Sequence, residues 1–136
     1  MDTQTAMGIA APFIERLQQA VRVMDGLTEL DRANFTLNAW ATRTSKGLCA
    51  CIAGHCGLDP WFQERGLITT IEDEGQGIGK VSVFPETFFG TSTPFYPQLY
   101  REVDLDSAPD VPPGAAVAAL KHAIGRFEAL TVDVST

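Results

Sequence analysis

Positive charge is scarce in this chain: 10 lysines and arginines stand against 17 aspartates and glutamates, a formal net charge of −7. A surface of that sign lacks the basic footprint that nucleic acid or an anionic membrane needs, so neither is expected as a direct partner. Long apolar runs are missing as well. No stretch reaches the roughly 18 apolar residues of a membrane helix, and Met1-Asp-Thr-Gln-Thr has neither the basic start nor the apolar centre of a secretory signal. Cysteine is limited to three residues, all between Cys49 and Cys56. An odd, clustered set is no disulfide framework, which points to a reducing, cytoplasmic setting. There is no internal repeat and no linker long enough to split the chain, so residues 1–136 are expected to form a single globular domain.

Periodicity and capping signals then suggest the elements. Phe13, Leu17, Ala20, Val21 and Met24 recur at three- and four-residue steps, which predicts an amphipathic helix from Pro12 to Met24, closed by Asp25-Gly26. Residues 28–40 read as irregular. A second helix is expected from a Thr44 or Ser45 cap to Gly57, with Leu58 folding back over its end. Asp59-Pro60 restarts a short helix carrying Trp61 and Phe62. Residues 67–71 and 80–84, rich in β-branched side chains, flank a glycine-rich loop and predict a hairpin. Ser92 or Thr93 with Pro94 opens a short helix holding Phe95, Tyr96, Leu99 and Tyr100; an acidic, proline-rich loop follows from Glu102 to Pro113. Val117, Leu120, Ile124 and Phe127 mark a last amphipathic helix over 112–130. The expected class is α+β, predominantly helical, a compact domain with one small β-hairpin.

The run Cys49-Ala-Cys-Ile-Ala-Gly-His-Cys56 gathers soft ligands and nucleophiles most densely. On a helix from 46 to 56, with Cys49 at zero, Cys51 falls near ~200°, His55 near ~240° and Cys56 near ~340°. The four cannot converge on one ion, so no metal and no cofactor is expected. Cys51 with His55 could form a thiolate–imidazole couple, with an acid such as Asp59 orienting the histidine. Against that stands packing: free cysteine is a small, habitually buried side chain, and Ala50, Cys51, Ala53, Gly54 and Gly57 would offer a small-residue face to another helix. Packing is the preferred reading, and no catalytic residue is assigned; Cys51 and His55 are the alternative.

Other motifs fail on spacing. Gly75-Gln-Gly-Ile-Gly-Lys80 lacks the first glycine of a phosphate loop, where Glu74 stands, and has Val81 in place of its Ser or Thr. Asp104, Asp106 and Asp110 lack the glycine and terminal glutamate of a calcium loop. The aromatic segment from Phe84 to Tyr100 is mostly core, and whatever part is exposed is a candidate partner surface. Phe95, Tyr96 and Tyr100, with Asp104 and Asp106 from the acidic loop, are the binding residues expected on that basis.

The order Phe35…Trp40…Lys46-Gly-Leu-Cys-Ala-Cys51-Ile-Ala-Gly-His55, then Phe88-Phe-Gly90 and an Ala-rich helix begun by proline, resembles small uncharacterised proteins of phages, prophages and bacteria with a W…CGTxxCxAGHA-like motif. The resemblance spans roughly residues 34–130. Lys46 replaces the first motif cysteine, which speaks against an obligatory cysteine pair. What the resemblance implies is an accessory protein of mobile elements. The expected function is therefore protein–protein binding, with a host or defence protein as partner; inhibition of a nucleic-acid-binding complex, in the manner of an anti-CRISPR, suits the size and charge.

Overall fold

Two long helices carry the frame: α1 (Thr3–Asp25) and α6 (Pro113–Ser135), each 23 residues, pack along one another. The computed structural model describes residues 3–96 and 111–135. Leu17, Ala20 and Met24 of α1 and Ala116, Leu120 and Ala123 of α6 are buried. Their three- and four-residue spacing is the apolar stripe of a surface helix, and the alanines let the two axes approach. Phe13 and Phe127 extend the seam, their ring centroids 5.6 Å apart. The helix expected to open at Pro12 begins at Thr3 instead and runs through that proline. An interior proline forfeits one backbone hydrogen bond.

Residues 28–40 are not wholly irregular. Thr28 caps a short α2 (Glu29–Ala33), its hydroxyl accepting from the Asp31 N–H at 3.1 Å, and Glu29 and Asp31 place negative charge in the first turn. That is a capping arrangement with favourable dipole electrostatics.

The helix predicted over 44–57 is half wrong, and the correction is the main feature of the fold. Residues 41–50 form a β-hairpin, β1 (Ala41–Thr44) paired antiparallel with β2 (Gly47–Ala50), in register Ala41 with Ala50 and Thr44 with Gly47. Thr44 serves the turn, not a helix: its hydroxyl accepts from the Lys46 N–H and donates to the Gly47 carbonyl, both at 3.1 Å. Gly47 takes φ 122°, a conformation open to glycine. Only Ile52–Cys56 is helical, as α3, and all five of its residues are buried.

Asp59 caps α4 (Pro60–Gln63) as expected, accepting from the Trp61 N–H at 3.2 Å. The predicted hairpin is also present: β3 (Thr69–Thr70) pairs antiparallel with β5 (Lys80–Val81). Its intervening loop is less loose than expected. Within it β4 (Glu72–Asp73) joins β1 in parallel, giving a three-stranded sheet in the order β2-β1-β4. Farther along, α5 (Pro85–Phe89), absent from the sequence reading, starts at a first-turn proline and ends at Gly90 with φ 73°. A 3-10 turn follows at Thr93–Phe95. The result is an α+β fold, predominantly helical, in which α3 sits beneath the sheet and touches α1, β2, β3, β5 and the 3-10 turn. Phe62, Phe88, Phe89 and Phe95 form an aromatic cluster with neighbouring centroids 4.6–5.9 Å apart, spacings at which aromatic rings attract beyond simple burial.

Candidate functional site

Cys51 precedes α3 in extended conformation, and its sulfur stands where a serine or aspartate usually caps: the Gly54 N–H donates to Sγ at 3.3 Å. The thiol in turn points at the Trp40 carbonyl, 3.9 Å away. It is 1% exposed. Burial pushes its pKa up to about 11, although the Gly54 N–H and other backbone groups favour the thiolate. Cys56 is fully buried and lies well above the ordinary thiol range, first through burial and then through the neighbouring Cys51 and Asp59. Both thiols are therefore protonated and shielded, the opposite of the exposed, electropositive setting that activates cysteine. His55, one turn on, is held neutral by burial, which outweighs the Asp31 carboxylate. Its Nε2 has no hydrogen-bond partner, and the hydrogen bonds of the Cys51 sulfur run to backbone groups of Gly54 and Trp40, not to the imidazole. The chemistry that would make a nucleophilic couple is not assembled.

The small residues of this run do pack closely, and α3 meets both α1 and the strands around it. A Cβ on Gly54 would collide with the Trp40 carbonyl, and one on Gly57 with Thr69. Gly57 ends α3 as predicted, yet with φ −69°, so its value is space and not a left-handed turn. Thr69 stitches β3 to the helix, donating from Oγ1 to the Gly54 carbonyl at 2.9 Å and from its N–H to the Gly57 carbonyl at 3.1 Å. Cys49, on β2, is partly exposed and lies 3.7 Å from the Thr44 hydroxyl. No group of three or more histidine, cysteine or acidic side chains able to hold a metal occurs among the described residues.

The aromatic segment divides between inside and outside. Phe88, Phe89 and Phe95 are buried, whereas Phe84 is 62% exposed and Tyr96 half-buried. Phe95 and Tyr96 meet Leu37, Asn38, Ala39, Trp40 and Ile78 in a surface crevice of about 90 Å³. Trp40 and Tyr96 stand edge to face across it, centroids 6.4 Å apart. Tyr96 is fixed by its hydroxyl, which donates to Glu86 at 2.6 Å; burial and that carboxylate together raise its pKa. Ile78 is 55% exposed at the rim, while its carbonyl accepts from the Trp40 and Ala41 N–H groups at 2.8 and 3.0 Å. The sequence reading omitted Ile78 and Trp40 from the candidate surface. An isoleucine between two glycines was a visible signal, but docking of its loop on β1 was not. Tyr100, Asp104 and Asp106, expected to share this surface, lie outside the described residues.

No family model, curated protein or solved structure matches the chain.

Proposed function

We propose that this protein acts by binding another protein through the crevice bounded by Trp40, Ile78 and Tyr96. The observation that carries this reading is the pairing of a half-buried aromatic wall with an exposed isoleucine whose carbonyl accepts two backbone hydrogen bonds, from Trp40 and Ala41. Aromatic anchors of this kind dominate protein interfaces. The crevice volume, about 90 Å³, is well below the roughly 300 Å³ at which small-molecule pockets begin; it suits one inserted side chain. The net charge of −7 favours a basic partner surface, and a groove built for phosphates is the partner class that charge would mimic. On this reading the partner is a nucleic-acid-binding protein of the host or of its defence systems, met in the cytoplasm, and the chain inhibits it by occupation. No helix among the described residues is long and apolar enough to cross a membrane.

The test is site-specific photo-crosslinking in cells. A crosslinker at position 78 is expected to give a discrete protein adduct that weakens as salt rises and disappears with Trp40→Ala. The same probe at Leu30, equally exposed at 57% but away from the crevice lining, should give none. Equal labelling from both positions, or none from position 78, would count against the reading.

A further inference from the structure

His55 is only 5% exposed, and among the described residues its Nε2 is the buried side-chain nitrogen or oxygen that lacks any hydrogen-bond partner. A neutral imidazole tolerates one unsatisfied nitrogen at modest cost. Adding a proton there would create a buried cation whose new N–H has no acceptor, a far costlier state. Beside the ring lies an open depression of about 330 Å³, lined by Arg22, Val23 and Gly26 of α1 and its end and by His55, Leu58 and Asp59.

The charged groups around this imidazole come from several elements. Arg22 belongs to α1, Asp31 to α2, and Asp59 caps α4; Cys56 follows His55 on α3 itself. On the other sides of α3, β2 carries Cys49, β5 carries Lys80 and the 3-10 turn leads to Tyr96, while β3 presents the uncharged Thr69. Asp31 is the one whose charge favours the imidazolium, and it does not offset burial.

We propose that His55 is a proton-operated latch: neutral, it holds α3 against the end of α1; protonated, its imidazole leaves the interior for the depression beside Asp59, and α3 loosens. The depression supplies hydrated space, and the Asp59 carboxylate supplies a counter-charge. Arg22 on the same wall disfavours an approach from its side. Drawing on Asp59 also weakens the cap it gives the Trp61 N–H, so α4 is coupled to the same event. The direction follows from linkage. The folded-state pKa is lowered relative to an ordinary 6.5, so the unfolded chain binds the proton more readily. The contribution of His55 to stability is whole above about pH 6.5 and is lost as pH falls through that value toward the folded pKa.

The experiment is an NMR titration of the full chain from about pH 7.5 to 5, a range above most carboxylate titration. It follows the His55 imidazole and the amide exchange of α3. The latch predicts that His55 protonates below the ordinary imidazole value of 6.5, and that amide protection at His55 and Gly57 then falls by about tenfold or more, after correction for intrinsic exchange. In His55→Leu that acid-dependent loss should vanish. Titration of His55 at or above the ordinary 6.5, α3 protection that does not change with pH, or an equal loss in His55→Leu would each overturn the proposal. Should His55→Leu fail to fold, the wild-type titration still decides between the two outcomes.

Discussion

The segment from Cys49 to Gly57 and the crevice at Trp40, Ile78 and Tyr96 share a wall, yet they differ in every property that decides function. The first holds the residue types most often associated with chemistry: three thiols and a histidine. Its two central thiols are buried and protonated, and its glycines serve close contact with the Trp40 carbonyl and Thr69. The second holds no thiol and no histidine; its lining includes three aromatics and an isoleucine, with the tyrosine hydroxyl tied to Glu86. Yet it is the part that water reaches. Cysteine becomes a nucleophile through exposure and a lowered pKa, not through density in the sequence. The same side chains, placed behind a sheet, are small apolar packing units.

That contrast can be broken at its strongest point with Gly54→Ala. The added Cβ would overlap the Trp40 backbone carbonyl, which cannot rotate away. A loss of about 3 kcal/mol or more in denaturant unfolding is expected; a variant within about 0.5 kcal/mol of wild type would show that α3 and Trp40 are not in close contact. Next in size is Cys51→Ala, which leaves the Gly54 N–H buried without its sulfur acceptor. It should cost about 2 kcal/mol. Cys51→Ser, whose hydroxyl can keep the cap, should cost about 1 kcal/mol or less. Thermal or denaturant curves that reverse this order would refute the capping role.

On the crevice side the effects on stability are smaller. Tyr96→Phe removes one solvent-facing hydrogen bond to Glu86 and should cost at most about 1 kcal/mol. Smallest is Ile78→Ser, which removes an exposed side chain while keeping the backbone acceptor for Trp40 and Ala41. Its stability should stay within about 0.5 kcal/mol of wild type, while crosslinking or binding through the crevice is lost. A large destabilisation would make Ile78 part of the core and sharpen the contrast in the wrong place.

The legible parts of the fold were those specified by local signals. Asp59-Pro60 reads as a cap and first-turn proline because both act within four residues. The stripe Leu120, Ile124, Phe127 reads as a helix because its period is intrinsic. Residues 44–57 misled because Thr44 and Ser45 suit helix caps and tight turns equally well. What decides for the hairpin is remote: β1 needs β4 at Glu72–Asp73 and the Ile78 carbonyl as partners. Cys49 sits on a strand, so helical angles do not relate it to Cys51, His55 and Cys56. The crevice was half legible. Aromatics near residue 95 suggested a surface, but which of them face water depends on α5 and on a loop docked from the other side of the chain.

The most direct test of the central claim is labelling of the native protein with a thiol reagent, each cysteine quantified by peptide mass spectrometry with and without denaturant. Burial predicts that the partly exposed Cys49 reacts first, while Cys51 and Cys56 stay silent until the chain unfolds. Labelling of Cys51 in the folded protein as fast as Cys49 would contradict the account and return Cys51 and His55 to the centre of an active site.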